Sequence, residues 1–266
     1  MARTARIKTT GVGVSYYHVM SRANDRRLLF ERGGVRTRLV DALAKAAAFS
    51  GVTLVAYVAM GNHFHAVCRV ERTGEKVGEE TLLARVAALK GEARAGEVAA
   101  RWKELRLRGA EKAVEAEQDA LRARMNDVSA FVKTFKETFD VAFKRERPYS
   151  GSIWNGRFKS TLVEDGKYLS DCIRYVEHNP IRAGLARRVR DYAWCSCHED
   201  APAGTVPEWL GRKVAQIGSG KVFGSEAYVR RMSGELGDRF GVRRVVARAV
   251  GEIGYATHGH RLAASA

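Results

Sequence analysis

Two apolar runs separated by a two-residue turn are the strongest constraint on how this 266-residue chain folds. The runs cover 52–60 and 63–70, and Gly61 and Asn62 stand between them. Both runs contain β-branched and aromatic residues, which favour strands. A Gly-Asn pair between such runs is typical of the turn that closes an antiparallel hairpin. The sequence therefore predicts two strands that are antiparallel neighbours.

Strand and helix periods alternate on both sides of this hairpin. Alternating apolar residues predict a strand, whereas apolar residues three or four positions apart predict an amphipathic helix. The order strand, helix, two strands, helix, strand predicts an α+β fold, a ferredoxin-like antiparallel sheet with helices on one face. The elements predicted outside the hairpin are strands over 12–22 and 158–164 and helices over 34–50, 129–145 and 167–178, the last ending near Pro180.

The charge of the chain is strongly positive and unevenly distributed. A formal net charge of +16 favours a polyanionic partner such as nucleic acid. Residues 71–127 contain as many acidic as basic residues, and their Ala, Glu, Arg and Leu content predicts helix. We interpret this block as a charged helical insertion in a domain spanning 1–198, either inert or used for dimerisation or DNA binding. Residues 199–266 are a predicted basic C-terminal extension, which contacts DNA or packs on the core.

Membrane and export signals are missing from the sequence. No apolar run approaches the roughly 18 residues that a membrane-spanning helix needs, and residues 1–10 lack the apolar stretch of a secretory signal. We therefore expect no membrane partner and a cytoplasmic, nucleoid-associated protein. The four cysteines, Cys68, Cys172, Cys195 and Cys197, are expected to remain thiols because they are few and no export signal accompanies them.

Two histidines in the second hairpin strand are candidate metal ligands. Alternate residues of a strand point to the same face, so His63 and His65 project together while Phe64 points the other way into the core. Imidazole nitrogens are common ligands of divalent metals. A pair of this kind is, by itself, also compatible with two purely structural histidines.

A tyrosine and an asparagine on the last predicted helix complement the histidine pair. Tyr175 and Asn179 are four residues apart, which places them on one face of a helix. Asn179 can then reach a metal ion, and Tyr175 can reach a group bound to that ion. Taken alone, Tyr175 is also compatible with a core position, and Asn179 with a helix-ending residue before Pro180. Tyr168 is a rival nucleophile, and His18 and His178 are further candidates for the site.

Two basic segments are candidate DNA contacts. Arg22, Arg26 and Arg27 surround a polar turn, where they can bind phosphates or simply lie in an exposed loop. Arg157 and Lys159 are two residues apart, on one face if the strand extends over both. The neighbouring aromatic residues Trp154 and Phe158 either stack on bases or belong to the core.

Four segments taken together resemble a known family of enzymes. They read YYHVMSRANDRRLLF, VAYVAMGNHFHAVC, SIWNGRFKSTLVEDGKYL and IRYVEHNPIRAGL. In this order they resemble the single-tyrosine HUH transposases, in particular the REP-associated tyrosine transposases. The resemblance implies the HUH nuclease fold, His63 and His65 as the metal-binding pair, Asn179 as the residue that completes the metal site, Tyr175 as the nucleophile, and Mg²⁺ or Mn²⁺ as the metal. The block 71–127 departs from the compact pattern of the family.

The resemblance also implies a function. Such a protein cleaves and rejoins single-stranded DNA near hairpins through a 5′-phosphotyrosine intermediate, with assistance from a divalent metal. The resemblance also leaves open a homodimer in which Tyr175 of one copy forms a site with His63 and His65 of the other copy. Two alternatives remain at this point: a non-catalytic protein that binds RNA or single-stranded DNA on a ferredoxin-like sheet, and an inactive transposase relative that acts as a DNA-binding repressor.

Overall fold

A computed structural model describes residues 9, 11–31, 34–146 and 149–198, together with the backbone of 222–223 and 247–248. The strands are β1 (Gly13–Arg22), β2 (Val52–Ala59), β3 (His63–Arg72), β4 (Lys159–Val163), β5 (Val222–Phe223) and β6 (Ala247–Arg248). The helices are α1 (Val35–Ser50), α2 (Glu79–Lys90), α3 (Glu92–Leu107), α4 (Glu111–Arg122), α5 (Val128–Glu146), α6 (Lys167–Glu177) and α7 (Asn179–Arg182). Short 3-10 helices cover Asn24–Arg26 and Val189–Asp191.

The sheet has the predicted ferredoxin-like topology. Its strand order is β2-β3-β1-β4, and each of these neighbours is antiparallel. The Met60 N–H donates to the His63 carbonyl at 2.8 Å, which closes the turn at Gly61 and Asn62. Strands β5 and β6 continue the sheet beyond β4 in parallel pairing. The α+β fold class predicted from the sequence is therefore confirmed.

One face of the sheet is apolar and is covered by α1 and α5. Phe64 of β3 packs against Phe135 of α5 with ring centroids 4.8 Å apart, and both side chains are fully buried. Trp154 and Phe158 are also buried in this core. Their burial contradicts the alternative that they stack on bases, because a base would need an open aromatic face.

Helix α6 packs against the opposite face of the sheet, so the prediction of helices on one face holds for α1 and α5 but is wrong for α6. Its residues Leu169, Cys172 and Val176 form a second core with Val58 of β2 and Val67 of β3. Because side chains alternate along a strand, this is also the face that carries His63 and His65. The helix with Tyr175 and the strand with the histidine pair therefore lie against each other.

The charged block between β3 and α5 is helical, as its composition predicts, and forms three helices. Phe49 of α1 and Trp102 of α3 are buried in a small core that holds α2, α3 and α4 together. Charged residues of the block pair with each other, as Arg101 does with Glu117 at 2.7 Å. Equal numbers of acids and bases therefore neutralise each other within this segment.

The predictions about the cysteines, about membrane-spanning helices and about the C-terminal extension can be compared with the described residues. All four cysteines are free thiols, as predicted. Within the described ranges, no helix combines the length and the apolar character needed to cross a bilayer. The predicted C-terminal extension, 199–266, lies outside the described residues except for the backbone of β5 and β6.

The aromatic core under the sheet generates a stability prediction. Phe139 of α5 is fully buried, and Val141, two residues away on the same helix, is 59% exposed. Phe139→Ala leaves a cavity and should lower the free energy of unfolding by about 3–5 kcal/mol. Val141→Ala should change it by no more than about 0.5 kcal/mol. Urea denaturation followed by circular dichroism measures both, and equal effects would contradict this assignment of the two helix faces.

Candidate functional site

A cleft of about 190 Å³ lies between the polar part of the sheet face and helices α6 and α7. It exists because β1 lies between β3 and β4, so that side chains from three adjacent strands meet on one face. The register pairs Met20 with His65 and Arg22 with His63 across β1 and β3. The described residues that line the cleft are His18, Met20, Arg22, His63, His65, Lys159, Thr161, Tyr175 and Asn179.

The histidine pair and the tyrosine meet in this cleft within one chain. The rings of His63 and His65 are 5.1 Å apart at their centroids and nearly perpendicular. The Tyr175 ring lies 5.5 Å from the His65 ring, with an interplanar angle of 88°. A single copy of the chain therefore brings these three side chains together.

A third histidine, His18 of β1, lies directly beside this group. Its Nε2 atom is 2.9 Å from Nδ1 of His65, and the two rings lie edge to edge, 7° from parallel, with centroids 5.1 Å apart. The His18 ring is also nearly perpendicular to the Tyr175 ring, at a centroid distance of 5.8 Å. The sequence indicates His18 only as a further candidate, because its place beside His65 depends on the β1–β3 register.

Asn179, the first residue of α7, also lines the cleft. Its amide Nδ2 donates a hydrogen bond to the backbone carbonyl of Tyr175 at 2.8 Å. The amide oxygen is therefore the atom of this side chain that is available as a ligand. Tyr175 and Asn179 line the cleft together, as their four-residue spacing predicts.

Burial determines the protonation of the histidines. It lowers the pKa of His18 to about 4, and burial together with the nearby charge of Arg22 lowers the pKa of His63 to about 4. The pKa of His65 is lowered well below its usual value, again mainly by burial. All three imidazoles are therefore neutral at pH 7, which is the state in which a ring nitrogen can bind a cation.

The phenol of Tyr175 is subject to opposing influences. Burial raises its pKa, whereas the positive charge of Arg182, a hydrogen bond with Asn179 and the charge of Arg22 lower it. The guanidinium of Arg182 lies 5.3 Å from the centre of the Tyr175 ring. The sequence analysis does not identify Arg182 as a site residue. The only signal for it is its position seven residues after Tyr175, about two helical turns along the chain.

Two of the predicted cationic contacts lie in the cleft. Arg22 and Lys159 both line it, and the buried Nε of Arg22 has no hydrogen-bond partner among the described residues. These two side chains place positive charge beside Tyr175 and the histidines. A phosphate group of either DNA or RNA would meet that charge on entering the cleft.

The remaining predicted cationic residues lie outside this lining. Arg26 and Arg27 are exposed on the 3-10 turn after β1, where Arg27 is 3.7 Å from Asp25. Arg157 is exposed and precedes β4, which begins at Lys159, so the argument that the two residues share a strand face does not apply.

The two rival residues of the last helix are also outside the described lining of the cleft. Tyr168 is partly buried against the core between α6 and the sheet. Nδ1 of His178 is 3.0 Å from the backbone carbonyl of Arg174 in its own helix. Neither residue therefore has the position of Tyr175 or Asn179.

The donor set limits which metal sites the described residues can form. Within 11–31, 34–146 and 149–198, no cluster of three or more His, Cys, Asp and Glu side chains could hold a metal ion. The candidate ligands that the described residues offer in the cleft are the two neutral imidazoles of His63 and His65 and the amide oxygen of Asn179. Such a set fits an ion that also takes oxygen ligands from phosphate or water.

Comparison with known proteins identified similar proteins at two levels, although no family model matches the chain. It is 34% identical over 83 residues to a REP-associated tyrosine transposase of Haemophilus influenzae, a match that covers 31% of this chain and 47% of the relative. The match therefore spans less than half of that relative. The fold is similar to a solved structure of a REP-associated tyrosine transposase bound to a REP hairpin, with a TM-score of 0.51 and 16% identity over 82% of this chain and 96% of the other. The chain is thus similar to REP-associated tyrosine transposases in one segment of sequence and in fold, which confirms the resemblance indicated by its motifs.

Proposed function

We propose that this protein is a DNA strand-transferase that cleaves and rejoins single-stranded DNA near hairpins through Tyr175. The observation that carries the proposal is the Tyr175 ring 5.5 Å from that of His65, in a cleft that also contains Arg22 and Lys159. The REP hairpin in the solved structure of similar fold supports hairpin DNA as the substrate. A protein that only bound nucleic acid would need neither a phenol nor neutral imidazoles at this position.

The reaction exchanges one phosphodiester for another. The phenolic oxygen of Tyr175 attacks a phosphorus atom of the DNA strand and loses its proton to water in the open cleft. The bond between phosphorus and the 3′ oxygen breaks, and that oxygen leaves as a 3′ hydroxyl after taking a proton. The 5′ phosphate stays on Tyr175 until another 3′ hydroxyl attacks it and releases the tyrosine. Because the phosphotyrosine keeps the energy of the broken bond, rejoining needs no ATP.

The protonated state of Tyr175 explains why positive charge is needed in the cleft. An ordinary tyrosine has a pKa of about 10, and burial raises the pKa of Tyr175 further. At pH 7 the phenol is therefore almost fully protonated and a weak nucleophile. Arg182, beside the ring, stabilises the phenolate, and Arg22 and Lys159 stabilise the charge that develops on the phosphate.

A divalent metal, Mg²⁺ or Mn²⁺, belongs to the proposal as a cofactor. His63, His65 and the amide oxygen of Asn179 would hold it, and two neutral imidazoles suit Mn²⁺ better than Mg²⁺ on ligand softness. When bound, the ion would supply a positive charge to a non-bridging phosphate oxygen. The side chains of this chain orient the phosphate and the phenol for in-line attack.

DNA outside the reacting phosphate is proposed to contact the exposed cations around the cleft. Arg26 and Arg27 lie on the turn joined to β1, and Arg157 lies just before β4. These side chains can neutralise flanking phosphates without taking part in the chemistry. A homodimer is compatible with this proposal but is not required by it, since Tyr175 lies beside His65 of its own chain.

The nucleophile assignment predicts a covalent protein–DNA adduct that depends on one tyrosine. With labelled single-stranded hairpin DNA and Mn²⁺, the unmodified protein should give a shifted band on a denaturing gel. Tyr175→Phe removes the attacking oxygen and should abolish this band, a loss of at least about 1,000-fold in cleavage rate. The matched control is Tyr168→Phe, on the same helix but outside the described lining of the cleft, which should keep the adduct.

Persistence of the adduct in Tyr175→Phe would show that the nucleophile is wrong. Hairpin binding with no adduct from the unmodified protein, in either Mg²⁺ or Mn²⁺, would favour the inactive, repressor-like alternative. Equal binding of unstructured RNA with no adduct would favour the non-catalytic binding protein.

Metal removal should separate cleavage from binding. EDTA should abolish adduct formation, and Mn²⁺ or Mg²⁺ should restore it, because the ion supplies charge to the transition state. His65→Ala should lose cleavage at all metal concentrations tested while binding the labelled hairpin within a few-fold of the unmodified protein. A filter-binding assay measures the second quantity. Full cleavage by His65→Ala would contradict the assignment of this residue as a ligand.

The cationic contacts predict a salt-dependent effect on DNA affinity. Lys159→Ala removes one phosphate contact and should weaken hairpin binding several-fold, with the slope of log K against log salt reduced by about 1. Lys133→Ala is the control, since this lysine is exposed on α5, on the other face of the sheet. Salt titrations of both variants test the prediction, which equal slopes would contradict.

A further inference from the structure

Both candidate metal-binding histidines have their Nδ1 atom engaged by a neighbouring side chain. Nδ1 of His63 is 2.7 Å from Oδ1 of Asn62, and Nδ1 of His65 is 2.9 Å from Nε2 of His18. A neutral imidazole has one N–H and one nitrogen with a free lone pair. What Nδ1 does therefore decides whether Nε2 can bind a cation.

The contact of His63 has only one hydrogen-bond direction. Nδ2 of Asn62 donates to the backbone carbonyl of Arg26 at 2.9 Å, which fixes the amide so that its oxygen faces His63. An amide oxygen can only accept a hydrogen bond. Nδ1 of His63 must therefore carry the hydrogen, and Nε2 keeps its lone pair.

The contact of His65 has two directions with different consequences. If Nε2–H of His18 donates, a neutral His65 carries its proton on Nε2 and cannot bind a cation there. If Nδ1–H of His65 donates, Nε2 of His65 is free. Only the second direction gives His65 the same tautomer that Asn62 imposes on His63. The two rings meet edge to edge, 7° from parallel, as a linear hydrogen bond between the nitrogens requires, and His18 is only 4% exposed, so its position is fixed.

We propose that Asn62 and His18 are positioning residues that accept the Nδ1–H of His63 and His65, respectively. They thereby keep Nε2 of both histidines unprotonated and available to a divalent cation in the cleft. The inference rests on the proposed function, because it takes His63 and His65 as ligands. It gives Asn62 a role in addition to its place in the β2–β3 turn. It makes His18 a residue that orients a metal ligand and not a metal ligand itself. Residues that orient ligand histidines in this way typically change metal affinity by about 10- to 100-fold when they are removed.

The tautomers can be read directly from the metal-free protein. Long-range ¹H–¹⁵N NMR of the full chain labelled in its histidines, after EDTA treatment and desalting, distinguishes a protonated Nδ1 from a protonated Nε2. We expect His63 and His65 both to carry the hydrogen on Nδ1. A wild-type spectrum with His65 protonated on Nε2 would overturn the role of His18 without any variant, and the same result for His63 would overturn that of Asn62.

Variants then test what the tautomers do for metal binding. His18→Leu and Asn62→Ala should each lower Mn²⁺ affinity by about 10- to 100-fold, as measured by electron paramagnetic resonance of free Mn²⁺. His18→Gln and Asn62→Asp each offer an acceptor oxygen near the original atom and should recover most of the loss. Unchanged affinity and tautomers in His18→Leu and Asn62→Ala would overturn the proposal.

A diamagnetic metal distinguishes a positioning residue from a third ligand. On addition of Zn²⁺, the Nε2 resonances of His63 and His65 should move, whereas neither ring nitrogen of His18 should show the shift of a coordinated nitrogen. A coordination shift on His18 would overturn its positioning role. The adduct assay with Tyr175→Phe tests the proposed function and measures neither the tautomers nor the metal affinity. A failure of the proposed function can therefore be distinguished from a failure of this inference.

Discussion

The pairing of β1 with β3 on one side and β4 on the other is the interaction on which the rest of the structure depends. Strand β1 is central among the four antiparallel strands, and its ladder with β3 runs over ten residue pairs. This register brings His18 beside His65 and Arg22 beside His63. The shorter ladder with β4 brings Lys159 to the same face. A slip of one residue in either ladder would turn these side chains to the apolar face and leave no cleft.

The two faces of the sheet differ in composition and in what they contribute to the protein. The face under α1 and α5 is filled by aromatic and aliphatic side chains and contributes stability. The other face is apolar where α6 packs and polar beyond it, where the cleft lies. Burial there favours the uncharged form of both the imidazoles and the phenol, and so shifts their pKa values in opposite directions. Burial keeps the imidazoles neutral by lowering their pKa, and it raises the pKa of the Tyr175 phenol, whereas the charges of Arg182 and Arg22 lower the pKa of that phenol.

The charged insertion is compatible with this sheet because it is largely self-contained. Its three helices share a small core with Phe49 at the end of α1, and Asn126 returns to the same place by donating its N–H to the Ser50 carbonyl at 2.7 Å. The chain thus leaves β3 and enters α5 without disturbing the strand order. Since acids and bases of the insertion pair with each other, the positive charge that a polyanion would meet belongs to the rest of the chain.

The sequence by itself determined the elements and the pairs of residues that each element carries. Local periods of 2 and 3.6 residues were enough to predict β1 to β4, the helices α1, α5 and α6, the turn at Gly61 and Asn62, the shared face of His63 and His65, and that of Tyr175 and Asn179. Only the tertiary structure decided that α6 covers the histidine face, that His18 meets His65 edge to edge and that Arg182 lies over Tyr175. It also decided that Trp154 and Phe158 are core residues and that Arg157 precedes its strand. These features depend on strand register and on packing between segments far apart in the chain, and a repeat pattern within one segment contains no information about either.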